Sequence, residues 1–250
     1  MNAPLFRRSA WIREFRHSPA PRARLVCMPH AGGSASFFRG WREPLPLDLD
    51  LLAVQYPGRE DRFGEACATD LHTLAEATAY ALRDYADRPL FLFGHSLGAS
   101  LAYEVALRLE RDGRPLRRVF VSAHPPPHRQ RDSDLYRQDD DTLIEDVRRL
   151  AGGGASLLDE PEVRAMFLPM LRADYRIIET YRRVEPPPLR TPIEVLLPLQ
   201  DSEFSRDEAQ AWQALSGEPV VVHEFDGGHF YLQQQPAALV RRLLPSLTTR

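Results

Sequence analysis

The sequence predicts an α/β fold, a mostly parallel sheet with helices on both faces. Two observations carry this. Short apolar runs rich in β-branched residues alternate with longer amphipathic runs along most of the chain, the pattern of repeated strand–helix units. One such junction reads Gly94-His95-Ser96-Leu97-Gly98 and fits the G-x-S-x-G turn that exposes a serine between a strand and a helix.

The elements follow in order. Arg24–Met28, Leu51–Gln55, Leu90–Phe93, Arg118–Ser122, Ile193–Leu199 and Val220–Phe225 read as strands. Leu71, Leu74, Ala75, Thr78, Leu82 and Tyr85 recur at helical spacing and mark one buried face. Leu101, Val105 and Leu109 do the same for a helix that follows Ser96 and should end near Gly113. Ser205-x-x-Glu208 is a capping box, and Gln235-Pro236 opens a last helix with proline where no backbone donor is lost. The stretch from about 124 to 188 breaks the alternation. It opens and closes on three prolines and holds Thr142–Leu150, Gly152-Gly153-Gly154 and the helical run Glu162–Arg183. It is expected to be a helical lid inserted into a single domain spanning 1–250, with the glycines as joints. Asp139-Asp140-Asp141 reads as a solvated helix start, since successive carboxylates point in different directions.

The Gly-Ser-Gly turn needs small flanking residues, which Gly94 and Gly98 supply. A serine hydroxyl is a weak nucleophile without a base and an orienting acid, expected here in the order Ser, Asp or Glu, His. Of the eight histidines, six lie too early or inside other motifs. His229 sits in a Gly-rich loop directly after a strand, whereas His223 lies within that strand, so His229 is the expected base. Asp201 directly follows the strand run Ile193–Leu199 and Gln200, which makes it the expected acid. Glu203 and Asp207 are weaker candidates, Asp207 falling in the first turn of the capped helix. An oxyanion hole should use the N–H of Leu97 at the start of the helix after Ser96. The second donor should come from Pro29-His30-Ala31-Gly32-Gly33-Ser34, where Ala31 is the expected donor and Gly32 the alternative.

These blocks resemble a known family. Pro29-His30-Ala31-Gly32-Gly33-Ser34-Ala35, Gln55-Tyr56-Pro57-Gly58-Arg59-Glu60-Asp61-Arg62, Phe93 to Ala99, Leu171-Arg172-Ala173-Asp174-Tyr175, Asp201 with Trp212 eleven residues on, and Gly227-Gly228-His229-Phe230 span most of the chain. Together they are similar to the type II thioesterases, stand-alone α/β-hydrolases that work beside modular polyketide synthases and nonribosomal peptide synthetases. The G-x-S-x-G turn is generic to α/β-hydrolases, whereas the Gln-Tyr-Pro-Gly-Arg-Glu and Leu-Arg-Ala-Asp blocks are selective. The resemblance implies catalytic roles for Ser96, Asp201 and His229. It implies hydrolysis of acyl thioesters from the phosphopantetheine arm of acyl or peptidyl carrier domains, an editing role in making, for instance, a siderophore or antibiotic. No metal or dissociable cofactor is expected, because pantetheine arrives with the substrate. Substrate and lid contacts are expected from Phe38, Met166, Met170 and Tyr175, although for any single residue of the lid stripe ordinary helix–helix core is the better reading. Two departures stand out. The acid lies in Pro198-Leu199-Gln200-Asp201-Ser202 rather than Gly-x-x-Asp-Pro. After Val121-Ser122, where relatives carry Gly and basic residues, this chain has Ala123-His124-Pro125-Pro126-Pro127-His128.

Composition fits this. A chain of 250 residues is long enough for one α/β domain with a sizeable core. The net charge of −3 gives no general basic field for nucleic acid. All 32 basic residues are arginine, which removes lysine as catalytic base or Schiff-base former. Cys27 and Cys67 are too few for a disulfide framework or a zinc site. No leader segment is evident and no run approaches the roughly 18 apolar residues of a membrane span. A cytoplasmic monomer is expected. Two rivals remain: an esterase of free small molecules on the same fold, and a non-catalytic carrier-binding protein.

Overall fold

A computed structural model describes residues 9–114, 116–152 and 156–248. Seven strands form one sheet: β1 (Ile12–Arg16), β2 (Ala23–Met28), β3 (Leu49–Val54), β4 (Leu90–His95), β5 (Leu116–Ser122), β6 (Ile193–Pro198) and β7 (Val221–Phe225). Their spatial order is β1-β3-β2-β4-β5-β6-β7, parallel throughout except for β1, which runs antiparallel to β3. All six expected strands are present within two residues of their expected ends. The edge strand β1 was not expected. Only Ile12 and Phe15 of Ile-Arg-Glu-Phe-Arg face apolar neighbours, on opposite sides of the sheet, and its register slips between Glu14 and Arg16. An edge strand of that kind carries little hydrophobic periodicity.

The helices are α1 (Leu71–Leu82), α2 (Leu97–Arg111), α3 (Asp140–Leu150), α4 (Pro161–Thr180), α5 (Arg206–Ala211), α6 (Tyr231–Gln234) and α7 (Pro236–Thr248). Side-chain alternation sorts the strands between two cores. Leu90 and Leu92 of β4 join Val26 and Met28 under α1 and α2, while Phe91 and Phe93 join Leu25 and Cys27 under α7 and the 3-10 segment Ala35–Arg42. Cys27 is accordingly a buried strand residue. Among the described residues no helix is long and apolar enough to cross a membrane.

Between β5 and β6 the chain leaves the sheet and builds α3 and α4. They close a third cluster, with Leu143, Ile144, Leu158, Leu168, Leu171 and Tyr175, and Ala31 packs against both this cluster and the main core. Asp139 caps α3 by accepting the Thr142 N–H at 2.8 Å, so the three aspartates do form a solvated helix start. Of the three glycines expected as joints, Gly152 follows α3 with φ 59°, and Gly153 and Gly154 lie outside the described residues.

The strand order places the site. The chain passes from β2 to β3 on one side and then returns to lay β4 on the other side of β2. The loops after β2 and β4 therefore diverge, and a crevice opens at the carboxyl ends of these strands.

Candidate active site

Ser96 stands in that crevice. It follows β4 directly, with φ 54° and ψ −123°, a left-handed conformation that costs a non-glycine residue about 1–3 kcal/mol. Surrounding bonds hold it: the Ser96 N–H donates to Ser122 O at 2.9 Å, and Ser96 O accepts the Ala99 N–H at 2.8 Å. The glycine requirement is steric. A Cβ on Gly94 would lie 1.9 Å from Gly98 O, and one on Gly98 would lie 2.1 Å from Met28 O.

The expected acid and base meet across the ends of β6 and β7. His229 Nδ1 and Asp201 Oδ2 are 2.8 Å apart, with side chains only 6% and 1% exposed. The other Asp201 oxygen accepts the Glu203 N–H at 2.9 Å. The unusual acid loop is tied to the histidine loop by Gln200. Its N–H donates to Gly227 O at 3.0 Å and its side-chain oxygen accepts the Gly227 N–H, at a glycine with φ 118°. Trp212 donates its indole N–H to His124 O at 2.9 Å. With Nδ1 facing Asp201, the remaining nitrogen of His229 is free for Ser96, and both residues line one cavity of about 150 Å³. The rival assignments fall elsewhere. His223 is held on the strand face by Glu194 at 2.7 Å, Glu203 pairs with Arg149 at 2.8 Å, and Asp207 lies in the first turn of α5 beside the Ser205–Glu208 capping box.

The two candidate donors in the loop after β2, Ala31 and Gly32, differ in their partners. The Gly32 N–H donates to Asp174 Oδ2 at 2.7 Å and is occupied. Neither the Ala31 nor the Leu97 N–H has an acceptor among the described residues, and Ala31 lines the Ser96 cavity. Asp174 lies on α4 and is locked to Arg59, with Nη1 to Oδ2 at 2.8 Å and Nη2 to Oδ1 at 2.9 Å. Arg59 Nη1 also donates to Gly33 O at 2.9 Å, and its guanidinium lies over the Tyr56 ring at 5.1 Å. Tyr56 in turn donates to Pro29 O at 2.9 Å, while Gln55 bridges the Ala35 N–H and Arg59 O. Burial alone would lower the Arg59 pKa; Asp174 more than offsets it, and the net direction is upward. The two selective sequence blocks thus converge on the loop that holds Ala31, the expected oxyanion donor. Their physical role was not legible in the sequence, where the partners stand 115 residues apart.

Three further histidines surround His229. His95 bonds Ser122 Oγ at 3.0 Å, and its ring centre is 5.1 Å from that of His229. His30 is caged by Phe37 and Phe230 at ring distances of 4.6 and 4.8 Å. Burial, followed by the proximity of His229, pushes His30 and His124 down to about 3 and His95 well below the usual histidine range. These neighbours are neutral at neutral pH. In the sequence they lie too early or inside other motifs, yet the fold gathers them around His229.

The four expected substrate contacts divide. Tyr175 lines the Ser96 cavity and donates its hydroxyl to Asp146 at 2.7 Å. Phe38 does not: it is fully buried against Trp41 and Phe93 in the core under α7. Adjacent residues in a helical turn point different ways, and it is Phe37 that meets His30. Met166 and Met170 line a second cavity with Phe63 and Arg59, not the Ser96 cavity. On α4, Tyr175 lies about 140° around the helix from Met170, so one face cannot serve both cavities.

Comparison with known proteins agrees with this geometry. The thioesterase domain family matches residues 23–247. The chain is 38% identical over 237 residues to the probable cadicidin biosynthesis thioesterase of Streptomyces griseus, covering 95% of this chain and 66% of that protein. It is 38% identical over 227 residues to Thioesterase PikA5 of Streptomyces venezuelae, covering 90% of this chain and 81% of that one. The solved structure of the type II thioesterase BorB from the borrelidin biosynthetic cluster matches with a TM-score of 0.88 at 39% identity, over 95% of this chain and 97% of that one. The chain thus spans about two thirds of the first relative and nearly all of BorB. These relationships favour a stand-alone thioesterase of polyketide or nonribosomal peptide biosynthesis over an esterase of free small molecules.

Proposed function

The chain belongs to the thioesterase family, and we propose that it is a serine hydrolase that cleaves acyl thioesters from the phosphopantetheine arm of acyl or peptidyl carrier domains. One observation carries this reading: a strained elbow serine, a histidine bonded to a buried aspartate and Ala31, whose N–H has no acceptor among the described residues, meet at a single cavity. In the reaction, His229 takes the Ser96 proton as the hydroxyl attacks the thioester carbonyl. Asp201 fixes the tautomer of His229 and stabilises the imidazolium. The Ala31 and Leu97 N–H groups receive the oxyanion, where a single donor is typically worth about 3–4 kcal/mol. Collapse of the tetrahedral intermediate breaks the C–S bond, and the imidazolium returns its proton to the departing pantetheine thiolate. Water activated by His229 then attacks the acyl-Ser96 ester, releasing a carboxylic acid and restoring the serine.

The family relationship supports an editing role, in which stalled or wrong acyl groups are cleared from carrier domains. The cap of α3 and α4 then acts as a lid that keeps bulk water from the acyl-enzyme. The reading places the protein in the cytoplasm as a monomer with no resident cofactor. The test compares an acyl-loaded carrier domain with a p-nitrophenyl ester of the same acyl group. Faster turnover of the carrier thioester, in kcat/KM, supports the proposal; preference for the free ester returns the chain to the small-molecule esterases.

A further inference from the structure

The loop that carries the catalytic acid has few ties to the sheet and several to the cap. Up to Gln200 the chain is tied to β7 and the histidine loop, with the Leu199 N–H on Phe225 O at 2.9 Å and the Gln200 N–H on Gly227 O at 3.0 Å. The Asp201 N–H reaches only back to Pro198 O, at 3.4 Å, and the next anchor is Phe204, buried in the main core. Asp201, Ser202 and Glu203 thus form a short span between two fixed points. The Asp201 carboxylate takes its orientation from that span, since one oxygen faces His229 and the other accepts the Glu203 N–H.

The cap grips this span from α3. Arg149 Nη1 donates to Ser202 Oγ and lies against Glu203 Oε1, both at 2.8 Å. The other edge of the guanidinium is fixed on its own helix, where Nη2 and Nε donate to Asp146 Oδ1 at 2.6 and 3.1 Å. Asp146 in turn accepts the Tyr175 hydroxyl of α4 through its second oxygen, at 2.7 Å. A planar guanidinium suits this bridge, because its fork of donors bonds both sides at once in one orientation. Arg131, in the loop that opens the cap, adds a weaker hold, 3.7 Å from Glu203 Oε2 and 3.5 Å from Ser202 O. Contacts therefore run without a break from α4 through α3 to the carboxylate that orients His229, and Arg149, Glu203 and His229 line the same cavity.

We propose that Arg149 is a positioning residue for the triad: from the cap it fixes Ser202 and Glu203, and through them the angle at which Asp201 meets His229. The cap then contributes to the chemistry as well as excluding water, and the triad is fully aligned only with α3 seated. The pair contributes geometry more than stability. The Arg149 and Glu203 side chains are 46% and 37% exposed, and ion pairs at such sites stabilise a fold little. Geometry is the more sensitive quantity, because a misplacement of about 1 Å can cost on the order of 10² in rate. Glu203→Gln keeps an oxygen that accepts from Arg149 and the backbone N–H that holds Asp201, so the arginine is the partner whose loss is felt.

The inference rests on the thioesterase reading with Asp201 as its acid, and the experiment separates the two. Hydrolysis of butyryl-pantetheine and thermal melts are measured for the wild type, Arg149→Met, Asp201→Asn and the double variant. Arg149→Met keeps an unbranched side chain on α3 but none of the donors. Its kcat should fall by about tenfold to a hundredfold with KM within about twofold, and its Tm should fall by no more than about 4 °C. A residue that acts through Asp201 has nothing left to position once that carboxylate is gone. Adding Arg149→Met to Asp201→Asn should therefore lower kcat by less than about twofold more. An unchanged kcat in Arg149→Met, a loss confined to KM, a larger fall in Tm, or a full further loss in the Asp201→Asn background overturns the positioning role while leaving the triad intact. An Asp201→Asn protein as fast as the wild type, or a wild type that does not hydrolyse the thioester, overturns both.

Discussion

Asp174→Ala should damage stability and catalysis together, by separable amounts. The substitution removes both bonds to Arg59, at 2.8 and 2.9 Å, and the 2.7 Å bond from the Gly32 N–H. The Arg59 side chain is only 4% exposed, so its charge is left with the Gly33 and Pro57 carbonyls and the Tyr56 ring. Breaking a buried ion pair by removing one partner costs about 3–5 kcal/mol. At roughly 2–4 °C per kcal/mol for a domain of this size, Tm should fall by about 6–20 °C. Freeing Gly32 also lets the neighbouring Ala31 N–H drift from the oxyanion position, and loss of one donor costs about 10²–10³ in kcat. The double variant Arg59→Met/Asp174→Leu separates the effects. It removes both charges and should recover much of the lost Tm, as apolar replacements of buried pairs do. It should not recover kcat, because Gly32 still has no acceptor. Thermal melts and kcat for the three proteins make the comparison. A Tm within about 2 °C of wild type for Asp174→Ala, or full recovery of kcat in the double variant, would refute the clamp.

Two other outcomes follow from the same geometry. Asp201→Asn should cost on the order of 10⁴ in kcat while Glu203→Gln costs little, since His229 bonds Asp201 and Glu203 pairs with Arg149; steady-state rates giving the reverse order would move the acid. Stability should fall on acidification because His124, at about 3 in the folded protein, stays neutral while the unfolded chain protonates it below its ordinary 6.5. Above 6.5 both states hold it neutral and it contributes nothing to the slope; at pH 5 the loss is about 2 kcal/mol, and His95 and His30 shift in the same direction. Urea midpoints at pH 7.5 and 5 that coincide would contradict this burial.

The parts legible in the sequence were those with short-range signatures. The elbow declares itself in five consecutive residues, and Asp201 and His229 declare themselves by following strand runs. What the sequence concealed depends on distant residues meeting. Arg59 and Asp174 carry no local sign of pairing, and His30, His95 and His124 gather around His229 only because parallel strands bring their carboxyl ends to one edge. Phe38 shows a different limit. In an amphipathic turn holding Phe37 and Phe38, the pattern gives two aromatic residues but not which one faces the site. β1 escaped notice because an edge strand with three charged residues in five needs little apolar periodicity.

The central claim is that Ser96 removes acyl groups from carrier-bound pantetheine through a covalent ester. Intact-mass analysis of an acyl-loaded carrier domain mixed with wild-type enzyme or with Ser96→Ala tests it directly. The wild type should return the carrier to its free-thiol mass and show a transient acyl adduct that maps to Ser96, whereas Ser96→Ala, with unchanged circular dichroism, should leave the carrier loaded and form no adduct. A Ser96→Ala protein that still unloads the carrier, or a wild-type protein whose adduct maps to any other residue, would contradict the account.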